Sequence, residues 1–167
     1  MLDIGCGGGG AAGTLIQIAF APENLFGIDL LPKNIVNAKR KYASCNFAVG
    51  DGRRVDYCDE SFDLVLESGI FIRLSDDEAS DIACEMIRVV KPGGFVMLID
   101  WRYGPPARNQ YYALAKRRRS ALFPGLEPIA AIPEALLSPI RRTVSAHVPS
   151  VYFLLRKLIS PLIGQFA

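Results

Sequence analysis

The sequence has 167 residues, half of them hydrophobic and 22% charged, which is the composition of one globular domain and not of a disordered or collagen-like chain. Its nineteen basic and seventeen acidic residues give a formal net charge of +2, which is too balanced to indicate a nucleic-acid partner. It has neither the run of about 18 uncharged apolar residues that crosses a membrane nor the regions of a signal peptide, so we expect a cytoplasmic location.

The first hundred residues alternate between predicted strands and helices. In chain order the patterns predict strands at 2–4, 24–30, 46–49, 62–67 and 95–100, with helices at 11–20, 33–43 and 76–90. Ser75 is expected to cap the third helix, and Pro92-Gly93-Gly94 to end it. This alternation, with strands that are nearly all apolar, predicts an α/β fold. We expect a Rossmann-like, doubly wound, mostly parallel sheet with helices on both faces.

The sequence changes character after residue 102. Eight of the eleven prolines lie between Pro105 and Pro161, and basic residues far outnumber the acidic ones in this part. Proline-broken helices are predicted at 109–122, 133–137 and 151–163. We therefore expect a Rossmann-like core at 1–102, followed by a mainly helical C-terminal segment of the same domain at 103–167.

Two features of this C-terminal segment suit contact with a partner. The basic cluster Lys116–Arg119 fits either a solvated surface or a grip on an anionic ligand or lipid headgroups. The apolar residues 148–163 fit packing on the sheet, on a second subunit or on a membrane surface, and periodicity does not choose among these. A homodimer and a peripheral membrane contact through this segment therefore both stay open.

Cysteine spacing argues against a metal centre. The four cysteines are Cys6, Cys45, Cys58 and Cys84, and no two of them have the CxxC spacing of a metal or redox site. We expect no bound metal, and we interpret the cysteines as free thiols in a reducing compartment.

A glycine-rich loop follows the first predicted strand and opens the first helix. Glycines let the backbone approach a ligand and adopt positive φ, and a helix N-terminus offers unpaired N–H groups to a phosphate or a carboxylate. Gly5, Gly7 and Gly10 fit the GxGxxG pattern of dinucleotide sites. Gly5, Gly7 and Gly9 instead fit a GxGxG pattern preceded by the acid Asp3. A tight turn without any ligand is the third interpretation.

Asp29 ends the second predicted strand. A carboxylate at this place can accept hydrogen bonds from both hydroxyls of a ribose, although taken alone it is equally a strand-end or helix cap. The glycine loop and Asp29 together favour a cofactor that contains a nucleoside.

Several segments, in order and spacing, resemble a class I S-adenosylmethionine-dependent methyltransferase of the small-molecule group often called type 11. The matching segments are 2–9 (LDIGCGGG), 26–30 (FGIDL), 50–52 (GDG), 62–68 (FDLVLES) and 88–98 (RVVKPGGFVML). The KPGG turn in the last segment and the acid Asp3 separate this group from nicotinamide-dependent dehydrogenases. The resemblance covers about the first 100 residues. It implies S-adenosylmethionine as cofactor and methyl transfer to a small-molecule acceptor.

The resemblance also implies a set of cofactor-binding residues. They are Asp3, Gly5, Cys6, Gly7, Gly9, Asp29, Leu30, Asp51, Gly52, Glu67 and Ser68. In the family, the residue matching Asp3 holds the methionine ammonium, directly or through water. The residue matching Asp29 takes the ribose hydroxyls, and the one matching Leu30 packs on the adenine.

Two further turns complete the implied site. Asp51 and Gly52 would contact the adenine, and Glu67 and Ser68 would line the methyl-donor end. All these positions follow the carboxyl ends of predicted strands, where open α/β sheets bind ligands.

No general base is assigned from the sequence. An activated sulfonium mostly requires positioning and exclusion of water, so a base is needed only if the acceptor must lose a proton. Asp100, Tyr103 and His147 are the candidates, and none of them is singled out by its surroundings in the sequence.

The chain departs from the family's pattern at both ends. The first motif usually lies tens of residues into the chain but here begins at Leu2, so we expect the N-terminal cover of the cofactor to be missing. No clear hairpin follows residue 102, and the C-terminal segment is the candidate acceptor-binding region. Two other functions stay open: a methyltransferase-like interaction module that binds the cofactor weakly, and a nicotinamide-dependent oxidoreductase.

Overall fold

The computed structural model of the chain describes residues 1–17, 20–100 and 111–129. Its strands are β1 (Leu2–Ile4), β2 (Phe26–Asp29), β3 (Asn46–Val49), β4 (Phe62–Ser68) and β5 (Val90–Ile99). Its helices are α1 (Gly10–Gln17), α2 (Pro32–Lys41), α3 (Asp76–Val89) and α4 (Lys116–Leu122). Short 3₁₀ turns at Pro22–Asn24 and Phe71–Arg73 precede β2 and follow β4.

The five strands form one sheet in the order β3-β2-β1-β4-β5, and every paired strand runs parallel to its neighbour. The chain moves outward from β1 to β2 and β3, then returns to the other side of β1 to form β4. The strand order therefore reverses between β1 and β4, and ligands bind beyond the carboxyl ends of strands at such a switch point. The predicted doubly wound, mostly parallel sheet is confirmed.

Helices cover both faces of this sheet. One apolar core contains Ala12 and Leu15 of α1, Ile35 and Ala38 of α2, and Leu66 of β4. The other contains Ala79, Ala83 and Met86 of α3, Leu122 of α4, and Val65 of β4. Because neighbouring residues of a strand point to opposite faces, the consecutive Val65 and Leu66 divide between the two cores. Burial on both faces explains why the strands are apolar throughout.

Helix α3 begins as the sequence predicted. Ser75 Oγ accepts a hydrogen bond from the backbone N–H of Glu78, and the Glu78 carboxylate accepts one from the backbone N–H of Ser75 at 3.1 Å. This reciprocal capping box satisfies two donors that the first helical turn leaves unpaired.

The end of α3 differs from the prediction. The helix ends at Val89, so Pro92-Gly93-Gly94 does not terminate it but lies inside β5, which begins at Val90. The pairing of β5 with β4 jumps from Val90–Phe62 to Phe95–Leu64, so the intervening residues bulge out of the ladder. Gly93 has a φ of +76°, which suits glycine at such a bulge.

The helix predicted at 109–122 is shorter in the structure. It begins only at Lys116, because the preceding Ala115 is extended and the backbone N–H of Tyr112 donates to the carbonyl of Ile72 instead of to a helical partner. Residues 109 and 110, and the helices predicted at 133–137 and 151–163, lie outside the described residues. None of the described helices is long and apolar enough to cross a membrane.

The chain divides into two compact units. The first is Met1–Gly125, which contains all the elements given above, and the second begins at Leu126, of which residues 126–129 are described. The expected boundary between 102 and 103 stays a prediction.

Candidate active site

The loop between β1 and α1 depends on three glycines. Gly5, Gly7 and Gly9 have φ values of +74°, +53° and +80°, a region in which side chains are strained. Gly10, by contrast, does not have a positive φ and begins α1. The loop conformation therefore follows the GxGxG pattern and not the GxGxxG pattern. Gly5 is also confined, because a Cβ at this position would lie 2.5 Å from Ile70 Cγ2.

Asp29, at the end of β2, ties this loop to the start of α2. Its Oδ2 accepts a hydrogen bond from the backbone N–H of Gly7 at 2.9 Å. Its Oδ1 accepts from the backbone N–H of Leu31 at 2.9 Å and from the side-chain amide of Asn34 at 3.0 Å. The predicted ribose-binding carboxylate thus stands directly beside the glycine loop in a fixed orientation.

Asp3, on β1, is a buried carboxyl group beneath the loop. Its side chain is only 5% exposed, and Oδ1 has no hydrogen-bond partner among the residues that the structure describes. Burial, followed by the negative charge of Asp29, raises the pKa of Asp3 to about 7. A cationic group brought to this place would satisfy the unpaired oxygen and favour its ionised form.

The expected adenine and methyl-donor positions differ in their surroundings. Leu30 is 61% exposed beside Asp29, and Ser68 is exposed at the end of β4. Gly52 is buried, and a Cβ there would lie 2.6 Å from Ile4 Cγ2, so the turn packs tightly on β1. These positions surround the carboxyl ends of β1, β2 and β4.

Asp51 has a partner that the sequence analysis did not identify. Its carboxylate accepts hydrogen bonds from the backbone N–H and the guanidinium of Arg53, with the closest pair at 2.7 Å. These hydrogen bonds hold the pKa of Asp51 below its usual value. An aspartate two residues before an arginine is a local signal that could have revealed the pair. An adenine amino group would have to share this carboxylate with Arg53.

Residues 1–94 match a protein family described as a methyltransferase domain, and they make up more than half of the chain. The chain belongs to this methyltransferase domain family. The match confirms the resemblance drawn from the motifs.

Among curated relatives, the methyltransferase domain is 34% identical over 107 residues to the 2-methyl-6-phytyl-1,4-hydroquinone methyltransferase of Synechocystis, covering 60% of this chain and 31% of that enzyme. It is 32% identical over 100 residues to the demethylmenaquinone methyltransferase of Chlorobaculum parvum, covering 60% of this chain and 40% of the relative. The chain thus spans less than half the length of these two relatives.

A solved structure agrees with this assignment. The TehB-like SAM-dependent methyltransferase of Corynebacterium glutamicum is 26% identical, with a TM-score of 0.51 over 58% of this chain and 52% of that protein. The family, together with the GxGxG conformation of the loop, leaves no feature that favours the nicotinamide-dependent alternative.

Cys6 in the glycine loop of the methyltransferase domain is a buried, neutral thiol. Burial, followed by the charges of Asp3 and Asp29, raises its pKa to about 12. Since the thiolate is the nucleophilic form, Cys6 packs beneath the loop and does not act as a nucleophile at neutral pH. Cys45, Cys58 and Cys84 are also free thiols.

The loop that follows β4 is held by two carboxyl groups. Glu67 Oε2 accepts a hydrogen bond from the backbone N–H of Ile70 at 3.2 Å, and Asp100 Oδ2 accepts one from Ile72 at 2.9 Å. Glu67 is fully buried, and its Oε1 has no partner in the described part of the chain. Burial, and next the charge of Asp100, raises the pKa of Glu67 to about 8. Asp100, a candidate base in the sequence analysis, thus anchors this loop.

Arg118 of α4 holds the far end of the same loop. Its guanidinium donates to the backbone carbonyls of Phe71 at 2.9 Å and Leu74 at 2.7 Å, and it pairs with Asp76 at 2.8 Å. Its side chain is only 12% exposed. The basic cluster Lys116–Arg119 therefore contains one structural arginine, whose partners lie 42 to 47 residues earlier and were not visible in the sequence pattern.

Gly27 of β2 is a second residue that the sequence analysis missed. A Cβ at this position would lie 2.8 Å from the Phe47 ring and 2.9 Å from Cys6 Cβ, so only glycine lets the loop after β1 pack on β2. Two candidate bases, Tyr103 and His147, lie outside the described residues. In the described ranges, no group of three or more histidine, cysteine or acidic side chains could hold a metal ion.

Proposed function

We propose that this methyltransferase domain binds S-adenosylmethionine beyond the carboxyl ends of β1, β2 and β4 and transfers its methyl group to a small-molecule acceptor. The observation that carries the proposal is the glycine loop. Its three positive-φ glycines keep side chains away from the loop, and its Gly7 N–H fixes the Asp29 carboxylate alongside it. A nucleoside can approach the backbone closely only at such a loop.

The residues at this edge of the sheet fit the parts of the cofactor. We assign the ribose to Asp29, one face of the adenine to the exposed Leu30, and the methionine ammonium to the buried oxygen of Asp3. When bound, S-adenosylmethionine supplies a methyl group already activated on a sulfonium. The chain's own task is then to bind, orient and exclude water, and the tightly packed loops suit that task.

The remaining cofactor contacts are proposed at the edge of the same site. Gly52 and the paired Asp51 would lie beside the adenine, and Ser68 would lie at the methyl-donor end. The fully buried Glu67 would act there by holding the backbone of Ile70.

The acceptor that the relatives favour is an apolar ring compound. The two relatives described above are named for a hydroquinone and for demethylmenaquinone. We therefore propose that compounds of the quinone and hydroquinone class are the first acceptors to test. The residues from 103 onward are the proposed acceptor-binding region, while a homodimer and a membrane contact through them stay predictions.

Free thiols support a reducing, cytoplasmic location as part of the same proposal. All four cysteines are unpaired, and two of them, Cys58 and Cys84, are exposed. Disulfides form readily in oxidising compartments, so exposed free thiols suit the cytoplasm better.

Calorimetric titration with S-adenosylhomocysteine tests the proposal. We expect the full chain to bind and the Asp29→Ala variant to lose at least about tenfold in affinity, because a hydrogen bond to a charged group is removed. Asp77→Ala is the matched control, because Asp77 is an exposed carboxylate on α3 away from the glycine loop, and its affinity should equal that of the unaltered chain.

The outcomes separate the two functions. A folded chain that does not bind S-adenosylhomocysteine would contradict the proposal and favour a methyltransferase-like interaction module. Binding that survives Asp29→Ala would move the cofactor away from the loop.

A further inference from the structure

The Asp29 carboxylate is already engaged by three donors of its own chain. A carboxylate offers about four acceptor positions, two on each oxygen. Oδ1 uses both of its positions, for the Leu31 backbone and the Asn34 side chain, and Oδ2 uses one for Gly7. Among the described residues no other donor reaches this group, so one acceptor position on Oδ2 is left for a ligand.

Asn34 is the one side chain among these three donors. It lies in the first turn of α2, is half-buried, and reaches back by five residues to place its amide nitrogen 3.0 Å from Asp29 Oδ1. The two backbone donors are fixed by the loop and by the helix start. The amide supplies the remaining contact, which prevents the carboxylate from rotating about its Cβ–Cγ bond.

We propose that Asn34 is a positioning residue for cofactor recognition: it holds the Asp29 carboxylate so that Oδ2 presents a single acceptor position to one ribose hydroxyl. This inference rests on the proposed cofactor site and adds an asymmetry to it. The sequence analysis allowed Asp29 to accept both hydroxyls, whereas the occupied Oδ1 leaves room for one.

A purely structural role for Asn34 makes a different prediction. If its amide only stabilised the start of α2, its loss would weaken the binding of every ligand to the same degree. If it positions Asp29, its loss matters only for ligands that carry the hydroxyl accepted by Oδ2. Comparing ligands that differ in one hydroxyl therefore distinguishes the two roles.

The experiment is calorimetric titration of the full chain and of Asn34→Ala with S-adenosylhomocysteine and its 2′-deoxy and 3′-deoxy derivatives. Asn37→Ala is the matched control, because Asn37 is exposed on the same helix and its only printed contact is with Arg40 at 3.5 Å. For the unaltered chain we expect one deoxy derivative to bind about tenfold or more weakly than the parent compound and the other to bind within about threefold of it.

Asn34→Ala should weaken S-adenosylhomocysteine binding about threefold to tenfold. It should weaken the better-binding derivative equally, and it should leave the affinity of the weaker-binding derivative within about twofold of the unaltered chain. Asn37→Ala should change none of the three. Equal weakening of all three ligands by Asn34→Ala, or no weakening, would overturn the inference.

A second variant tests the same contact by charge. Asn34→Asp keeps the shape of the side chain but sets a carboxylate against Asp29, so the binding of S-adenosylhomocysteine at pH 8 should fall further than in Asn34→Ala. Affinity should recover toward pH 5, where a shared proton replaces the lost donor. Binding at pH 8 equal to that of the unaltered chain would contradict the inference. Failure of the unaltered chain to bind would instead contradict the proposed function itself.

Discussion

Two neighbouring loops border the proposed site, and they are stabilised in different ways. The loop after β1, residues 5–9, is held mainly by its own backbone: the N–H groups of Gly5 and Cys6 both donate to the carbonyl of Ile28. The loop after β4, residues 69–75, is held by side chains from elsewhere in the chain, among them Asp100 and Arg118. The first depends on residues that have no side chain, and the second on long polar side chains.

This difference separates what is fixed in the site from what can vary. A loop whose conformation requires positive φ accepts almost no substitution, which suits the binding of a cofactor of constant shape. A loop held by distant side chains can change when those side chains change. We interpret the loop after β1 as the constant part of the site and the loop after β4 as the part through which the C-terminal segment can influence the acceptor.

Gly5→Ala should have the largest effect, because it strikes where the two loops touch. The new Cβ would take a φ of +74° and lie 2.5 Å from Ile70 Cγ2. Left-handed strain and overpacking together should reduce the free energy of unfolding by about 2–4 kcal/mol. Urea denaturation followed by circular dichroism measures this loss, and S-adenosylhomocysteine binding should fall more than about tenfold.

Gly8→Ala is the matched control in the same loop. Gly8 does not have a positive φ, and the nearest atom to its added Cβ is Lys41 Nζ at 3.8 Å, an ordinary contact. Its stability should stay within about 0.5 kcal/mol of the unaltered chain. If Gly8→Ala were as damaging as Gly5→Ala, the importance of positive φ in this loop would be refuted.

The same division explains what the sequence could predict. The bounds of β1 and β3 and the Ser75 cap follow from local patterns, and the structure confirms them. The start of β5 was wrong, because its first residues join the sheet by pairing with Phe62 across a bulge, and no local signal encodes that partner. Cofactor-loop geometry was predictable for the same local reason.

The contacts missed by the sequence analysis are those between distant residues. Arg118 belongs to a run of four basic residues, and nothing in the run indicates that its third member, and not its neighbours, reaches the loop after β4. That choice depends on where α4 packs, which is a tertiary property. Asp51 and Arg53, only two residues apart, were within reach of sequence reasoning.

Arg118→Ala should have the second largest effect. It would leave the carbonyls of Phe71 and Leu74 without their charged donor, and the free energy of unfolding should fall by about 2–3 kcal/mol. Arg118→Lys should rescue little, because an ammonium cannot reproduce the forked hydrogen bonds of a guanidinium. Urea denaturation is again the measurement.

Arg117→Ala is the control for this prediction. Arg117 is exposed in the same basic run, so its removal should change stability by less than about 0.5 kcal/mol. Equal effects at 117 and 118 would mean that the whole run acts as a diffuse charge and that Arg118 does not clamp the loop.

Glu67→Gln should have the smallest effect, and it should be stabilising. The folded chain holds the pKa of Glu67 at about 8, whereas the unfolded chain has the ordinary value of about 4.5. Between these two values the unfolded state loses its proton and the folded state keeps it, so the free energy of unfolding falls as the pH rises. A glutamine cannot ionise, and its side-chain carbonyl can still accept the hydrogen bond from Ile70.

The gain should therefore be near zero at pH 4, grow as the pH rises, and level off above pH 8 at on the order of 2 kcal/mol. Glu85→Gln gives the opposite sign, because hydrogen bonds from Arg88 lower the pKa of Glu85. The carboxylate of Glu85 contributes stability that is present above pH 4.5 and is lost as the pH falls, so its glutamine variant should be the less stable one at pH 7. Melting curves at pH 4, 6 and 8 measure both variants. A Glu67→Gln variant that is less stable than the unaltered chain at pH 8 would show that the buried carboxylate has a cationic partner, and the loop after β4 would then be held by charge at both of its ends.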